Sequence, residues 1–331
     1  MKSISLMAAA FLAMAQSASA ESSVLKVYTY DSFVSDWGPG PLVEAAFEEK
    51  CGCDLQFVGA GDGASLLARI RLEGARTDAD VVLGLDTNLT AVAANSGIFG
   101  THDLDLSDLD LPVVWQDDMF VPFDWGYFAF VHNTDLANPP TSFEDLIALP
   151  EETKIVIQDP RSSTPGLGLL LWVQAAYGKD AARIWEGLAP HILTVTKGWS
   201  EAYGLFLEGE ADLVLSYTTS PAYHLIAEND AGKTAAAFSE GHYLQIEVAA
   251  KVASSPHQEL ADQFLGFILS EDFQSIIPTT NWMFPVKTPA AGLPEGFETL
   301  ISPETALLFE AGQAPRVRDA ALQTWLTALS R

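Results

Sequence analysis

The chain alternates short apolar runs with apolar stripes at helical spacing. Val24 to Tyr30, Leu55 to Val58 and Asp80 to Leu85 are strand-length runs, and each leads through a turn into a stripe. The stripes are Leu42, Val43, Ala46 and Phe47; Leu66, Leu67, Ile70 and Leu72; and Leu89, Val92 and Ala93. Runs that are apolar throughout suit strands buried on both faces, and residues three and four apart suit helices with one buried face. This rhythm predicts an α/β sheet.

Phe123 to Val131 (FDWGYFAFV) is an aromatic, extended run, and a second set of α/β units starts after it. Strands are predicted at Lys154 to Gln158, Ile192 to Val195 and Asp212 to Tyr217, with helices near Leu167 to Tyr177 and Ser200 to Leu207. Tyr243 to Ala250 is a second extended run that returns the chain. Beyond Ser254 the pattern is mostly helical, and Leu260, Phe264, Phe267 and Ile268 form a core stripe. A chain of 331 residues exceeds the size at which one core stops growing. The expected architecture is α/β with two lobes: residues 21–124 with 249–331, and residues 125–248. With no flexible linker, the crossover strands let the lobes hinge as rigid bodies.

Ahead of the first strand, Lys2 precedes an apolar run from Ile4 to Ala15 and then Ala18-Ser19-Ala20. That is the pattern of a secretory signal peptide over residues 1–20, and it is too short for a bilayer span. No later stretch is apolar for long enough to cross a membrane, so the expected product is a soluble protein of the periplasm or the cell exterior. Seventeen basic against 44 acidic residues, a net charge of −27, argue against nucleic acid as a partner. The same charge suits a cationic ligand or a solubility role. Cys51-Gly52-Cys53 could close into a small disulfide ring in an oxidising compartment. Two free thiols or a bound metal are the alternatives, although a lone C-x-C lacks the second ligand pair of a structural zinc site.

Ligands of open α/β sheets bind beyond the carboxyl ends of the strands, which directs attention to five segments. These are Tyr30-Asp31-Ser32, Gly61-Asp62-Gly63, Arg161 to Gly166, Gly198-Trp199-Ser200 and Tyr217 to Pro221. Thr164 and Ser220 each precede a proline suited to a first helical turn, so both read as N-caps. Two helix starts rich in hydroxyls can also hold a phosphate. Trp37, Trp199 and Trp282 lie in turn contexts, where aromatic faces are available to cations and flat heterocycles. Catalytic signatures are scarce: there is no H-E-x-x-H, and the segment around Ser200 lacks the second glycine of a nucleophile elbow. Asp124, Asp159 and Glu247 are carboxylates near strand ends, with caps or hinge contacts as their ordinary explanation.

At these segments the chain resembles the thiamine-binding proteins of bacterial ABC importers, over essentially its whole mature length. The matching stretches are VYTYDSFVSDWGPGP (27–41), ADVVLGLD (79–86), FVPFDWGYFAFV (120–131), QDPRSSTPGLGLLLW (158–172), TVTKGWSEAYGLFL (194–207), DLVLSYTTSPAYH (212–224) and NWMFPV (281–286). The resemblance implies a type II periplasmic binding fold and, as ligands, thiamine, thiamine phosphate and thiamine diphosphate. It further implies delivery to a membrane permease, a monomer, no cofactor, no metal and no enzymatic activity. By the same resemblance Asp62, Gly63, Ser163, Thr164, Trp199, Tyr217, Thr218, Thr219 and Ser220 contact ligand. Tyr30, Trp37, Tyr223, Asn281 and Trp282 form pocket walls. The cysteine spacing also belongs to the family's pattern.

Two alternatives share this architecture. One is a thiamine-degrading enzyme of the thiaminase I type, which needs a cysteine nucleophile in the cleft. The other is a ferric-ion carrier using Tyr30, Tyr217, Tyr223 and His224. The leader supports one immediate test. Signal peptidase should release a mature chain beginning at Glu21, and N-terminal mass analysis of exported protein should find that terminus; a membrane-bound form retaining Lys2 would contradict it.

Overall fold

The computed structural model describes residues 23–330, so the leader and its cleavage site lie outside the described residues. Among the described residues eleven strands build the sheet: β1 (Val24–Thr29), β2 (Asp54–Gly59), β3 (Val81–Asp86), β4 (Val121–Asn133), β5 (Ile155–Gln158), β6 (Ile192–Thr196), β7 (Leu213–Tyr217), β8 (Lys233–Ala235), β9 (His242–Lys251) and the two-residue strands β10 (Phe284–Pro285) and β11 (Ala306–Leu307). Helices α1 (Gly40–Cys51), α2 (Gly63–Glu73) and α3 (Thr90–Ala94) accompany the first three strands. The middle of the chain supplies α4 (Phe143–Ile147), α5 (Thr164–Tyr177), α6 (Ala181–Leu188), α7 (Trp199–Leu207) and α8 (Pro221–Ala227). After β9 come α9 (Gln258–Phe267), α10 (Glu271–Gln274), α11 (Ile277–Thr280) and α12 (Ala314–Leu329).

The strand order β2-β1-β3-β9-β4-β7-β5-β6 has two similar halves. Strands β2, β1 and β3 are parallel to one another, as are β7, β5 and β6. Between these triplets lie β9 and β4, which run antiparallel to each other and to their outer neighbours. Strand β4 pairs with β9 as far as Tyr127 and with β7 from Phe128 onward, so one continuous strand serves both halves. The extended runs legible in the sequence are these two strands.

Each half buries an aromatic core. Phe47, Phe123, Phe264, Phe267 and Phe273 pack in the first, and Phe130, Phe143, Trp172 and Phe238 in the second. Each fully buried ring stabilises the fold by roughly 1.5–3 kcal/mol.

The chain end departs from the sequence reading. Residues 249–331 were expected to stay with the first half, yet α12 packs against α5 and α6 of the second, with Trp325 under the Arg161 guanidinium. The segment between α11 and α12, expected to be mostly helical, is largely irregular. Its prolines and glycines, in TPAAGLPEG, supply the reason.

One glycine sets the position of a cleft residue. Gly84 interrupts β3 at a register shift with φ of 101°, and a Cβ there would come within 2.2 Å of the Tyr30 ring. Replacing Gly84 by Ala should destabilise the protein by at least about 2 kcal/mol, from the left-handed backbone and the overlap with Tyr30 together; urea unfolding of the purified variant measures it.

Candidate functional site

The carboxyl ends of both parallel triplets converge on one cleft of about 560 Å³. Tyr30 follows β1, Asp62 and Gly63 follow β2, Thr164 follows β5, Trp199 follows β6, and Tyr217 and Ser220 lie at the end of β7; all line it. Trp37, Tyr223, Asn281 and Trp282 complete the expected walls. Ser163, Thr218 and Thr219 do not line the cleft but lie immediately behind it, fully buried. Among the described residues, no lysine, arginine, histidine or cysteine lines the cleft.

The aromatic wall is held by specific contacts. Trp199 stacks on Tyr203 with centroids 4.9 Å apart, and its indole N–H donates to Ser216 Oγ at 2.8 Å. Trp37, 54% exposed, approaches Trp199 from the other half at 6.2 Å. Trp282 meets Tyr223 edge-on at 5.4 Å and has φ of 56°, a left-handed backbone that costs a bulky residue on the order of 1–3 kcal/mol. The surrounding structure sustains that strain at the cleft wall.

The helix starts differ from their expected use. Thr164 is the first residue of α5, Ser163 occupies the N-cap position, and neither Ser163 nor Ser220 caps its own helix through its side chain. Their hydroxyls bond elsewhere. Ser163 Oγ donates to Asp62 Oδ2 at 2.6 Å, the Trp199 backbone N–H donates to the same oxygen at 3.1 Å, and the Gly63 N–H donates to Thr164 Oγ1 at 3.2 Å. These bonds join the two halves across the cleft, and the Asp62 carboxylate takes the donors that an anion would use. Ser220 Oγ bonds to Ser216 Oγ at 2.7 Å and accepts from the Tyr217 N–H at 3.2 Å.

The cleft floor is a chain of polar side chains. Tyr217 donates to Gln245 Oε1 at 2.9 Å, Gln245 to Glu247 Oε1 at 2.9 Å, and Tyr30 to Glu247 Oε2 at 2.8 Å. Asn281 Nδ2 reaches Tyr30 Oη at 2.9 Å and Asp124 Oδ2 at 2.5 Å. Burial is the main cause that raises the carboxyls here: Asp62 and Asp86 to about 6, Asp124 to about 7, and Glu247 well above its ordinary value. Burial likewise pushes the Tyr30 and Tyr217 phenols up, the opposite of what a phenolate metal ligand requires. His224 lies behind the wall, bonded to Tyr203 and Glu228.

Gln245, Tyr203 and Met283 line the cleft although they were not singled out from sequence, and Glu247 was noted only as a carboxylate near a strand end. For Gln245 and Glu247 a signal existed: two polar residues, two apart on one face of an otherwise apolar strand. The cysteines do not line the cleft; they lie at the end of α1 just before β2 starts and form the Cys51–Cys53 disulfide.

Two similar sheet halves joined by shared strands, with an aromatic cleft at the carboxyl ends of both, define a two-lobed solute-binding protein. The chain belongs to the bacterial extracellular solute-binding protein family, whose model matches residues 40–275. It is 54% identical over 309 residues to the thiamine-binding periplasmic protein of Escherichia coli K12, covering 93% of this chain and 94% of that one. A solved periplasmic thiamin binding protein superposes with a TM-score of 0.91 at 53% identity, covering 94% of this chain and 97% of its own. Iron-bound HitA from Pseudomonas aeruginosa, with a TM-score of 0.71, 19% identity and coverage of 90% and 99%, shares the fold alone.

The raised carboxyls make stability depend on pH. A carboxyl whose value rises on folding keeps its proton in the native state at a pH where the unfolded chain has lost it. Stability therefore falls as pH climbs from about 4 through the folded values. Each group contributes about 1.4 kcal/mol to that loss for every pH unit separating its unfolded value from its folded one. The melting temperature should be several degrees higher at pH 5 than at pH 7.5, as calorimetry of the ligand-free protein would show.

Proposed function

We propose that this chain is the periplasmic component of an ABC importer that captures thiamine and its phosphate esters and hands them to a membrane permease, as a monomer and without altering them. The observation that carries this reading is the cleft itself: aromatic on its walls, acidic on its floor and, among the described residues, lined by no cationic side chain. A thiazolium cation gains from both features, through ring quadrupoles and through carboxylates. The names of the relatives that span nearly the whole chain support the same ligand.

Binding without catalysis is supported by the cleft's composition, because neither a cysteine nor a histidine is at hand to act as nucleophile or base. The cysteines that a thiaminase-like reading would use are joined to each other outside the cleft. Lobe closure is supported by the Asp62 clasp on Ser163 and Trp199. A phosphate ester fits the same place if its oxygens take over the donors that Asp62 now holds at the starts of α5 and α7.

Calorimetric titration tests both halves of the ligand. Trp199→Ala should weaken thiamine by roughly 1–3 kcal/mol and remove part of the fluorescence quenching; unchanged affinity in a folded variant would count against the stacking wall. Ser163→Ala should lower thiamine diphosphate affinity by roughly tenfold to a hundredfold with little change for thiamine. Equal losses for the two ligands would remove the phosphate from the reading.

A further inference from the structure

Three acidic residues occupy one row across the middle of the sheet. Asp86 on β3 is the register partner of Glu247 on β9, and Glu247 is the register partner of Asp124 on β4. Partners directly opposite one another project from the same face, and all three are buried. Asp86 has its own donors, the backbone and side-chain N–H groups of Asn88. Glu247 is held by Tyr30 and Gln245, and Asp124 by Asn281. The other titratable groups that face the pair are Asp86 from β3, Asp62 from the start of α2, Tyr30 from the end of β1 and Tyr217 from β7. Every one of them is acidic.

Asp124 and Glu247 stand in a relation that neutral donors do not resolve. Among the described residues no N–H or O–H group reaches the buried Asp124 Oδ1, and Glu247 stands directly opposite Asp124 in the β4–β9 ladder. Like charges on opposed strand partners, taken out of water, do not both ionise. Glu247 also lines the cleft, so a fixed positive charge entering the cleft reaches the pair and favours its second ionisation.

We propose that the Asp124–Glu247 pair is the charge-selecting element of the cleft, sharing one proton in the ligand-free protein and releasing it to solvent when a ligand with a fixed positive charge is captured. One O–H bond breaks, the proton passes to water or buffer, and an ion pair with the ligand cation takes its place. A neutral molecule of the same shape leaves the pair protonated and gains no ion pair, so it is held less tightly. The inference rests on the thiamine reading, because a thiazolium ring carries its charge at every pH.

Calorimetry on the mature protein separates the two claims. Thiamine is compared with its neutral thiophene isostere, 3-deazathiamine, which has the same aminopyrimidine, at about pH 7.5, above the value of about 7 to which burial carries Asp124 and where Glu247, raised well above its ordinary value, still holds a proton. Repeating each titration in buffers of different ionisation enthalpy counts the protons. Thiamine should release about one proton more than the isostere, and its affinity alone should rise by up to about tenfold per pH unit as pH climbs above about 7. Glu247→Gln and Asp124→Asn should each abolish the difference in proton count and narrow the affinity gap. Equal proton release and parallel pH profiles in the unmodified protein would overturn the charge-selecting pair while leaving thiamine binding intact. Failure to bind thiamine at all would overturn the functional reading and this inference with it.

Discussion

Strands β4 and β9 lie side by side at the centre of the sheet, and everything else in the molecule hangs from that antiparallel pair. Each parallel triplet needs a neighbour to satisfy its inner edge, and the pair supplies both: β9 to β3 and β4 to β7. Backbone hydrogen bonds thus run from one half to the other, and the larger buried cluster continues across the strip from Leu66 and Ile70 to Trp172. Two α/β halves on a narrow, shared strip can pivot about it.

The shared strip also places chemistry where water is scarce. Asp124, Glu247 and Gln245 belong to it, and Tyr30 and Asn281 reach it from neighbouring loops. Burying several carboxyls together is unfavourable unless donors or protons compensate them. Here phenols and amides supply part of the compensation and raised carboxyl values the remainder. That arrangement suits a site that gains from an incoming positive charge.

Beside the floor, the clasp at Asp62 ties the halves together across the cleft. Its carboxylate ignores its own helix and accepts from Ser163 and Trp199 of the other half. The Gly63 N–H adds a bond to Thr164, and only a glycine permits the close approach, since a Cβ at residue 63 would lie 2.5 Å from Thr164 Oγ1. Helix N-termini that can attract an external anion are therefore bonded to an internal one in this conformation.

Much of this was legible in the residues alone. Apolar runs and stripes located the strands and most helices because burial imposes a period on the chain locally, and the resemblance over long stretches pointed to the fold and to the cleft segments. Those signals end where partners are distant in sequence. Nothing near Asp62 reveals that its carboxylate answers to Ser163 and Trp199 rather than to α2. The proline after Thr164 marked a helix start, but which hydroxyl occupies the N-cap and where it bonds depended on the facing lobe. The docking of α12 on α5 and α6 is a packing decision that an amphipathic stripe leaves open. The row of Asp86, Glu247 and Asp124 exists only through strand register, since a shift of one residue would turn those side chains to opposite faces. Sequence determined which residues could serve a cationic ligand, and tertiary structure decided which carboxyls share a proton, because that depends on distances between strands that the chain order does not contain.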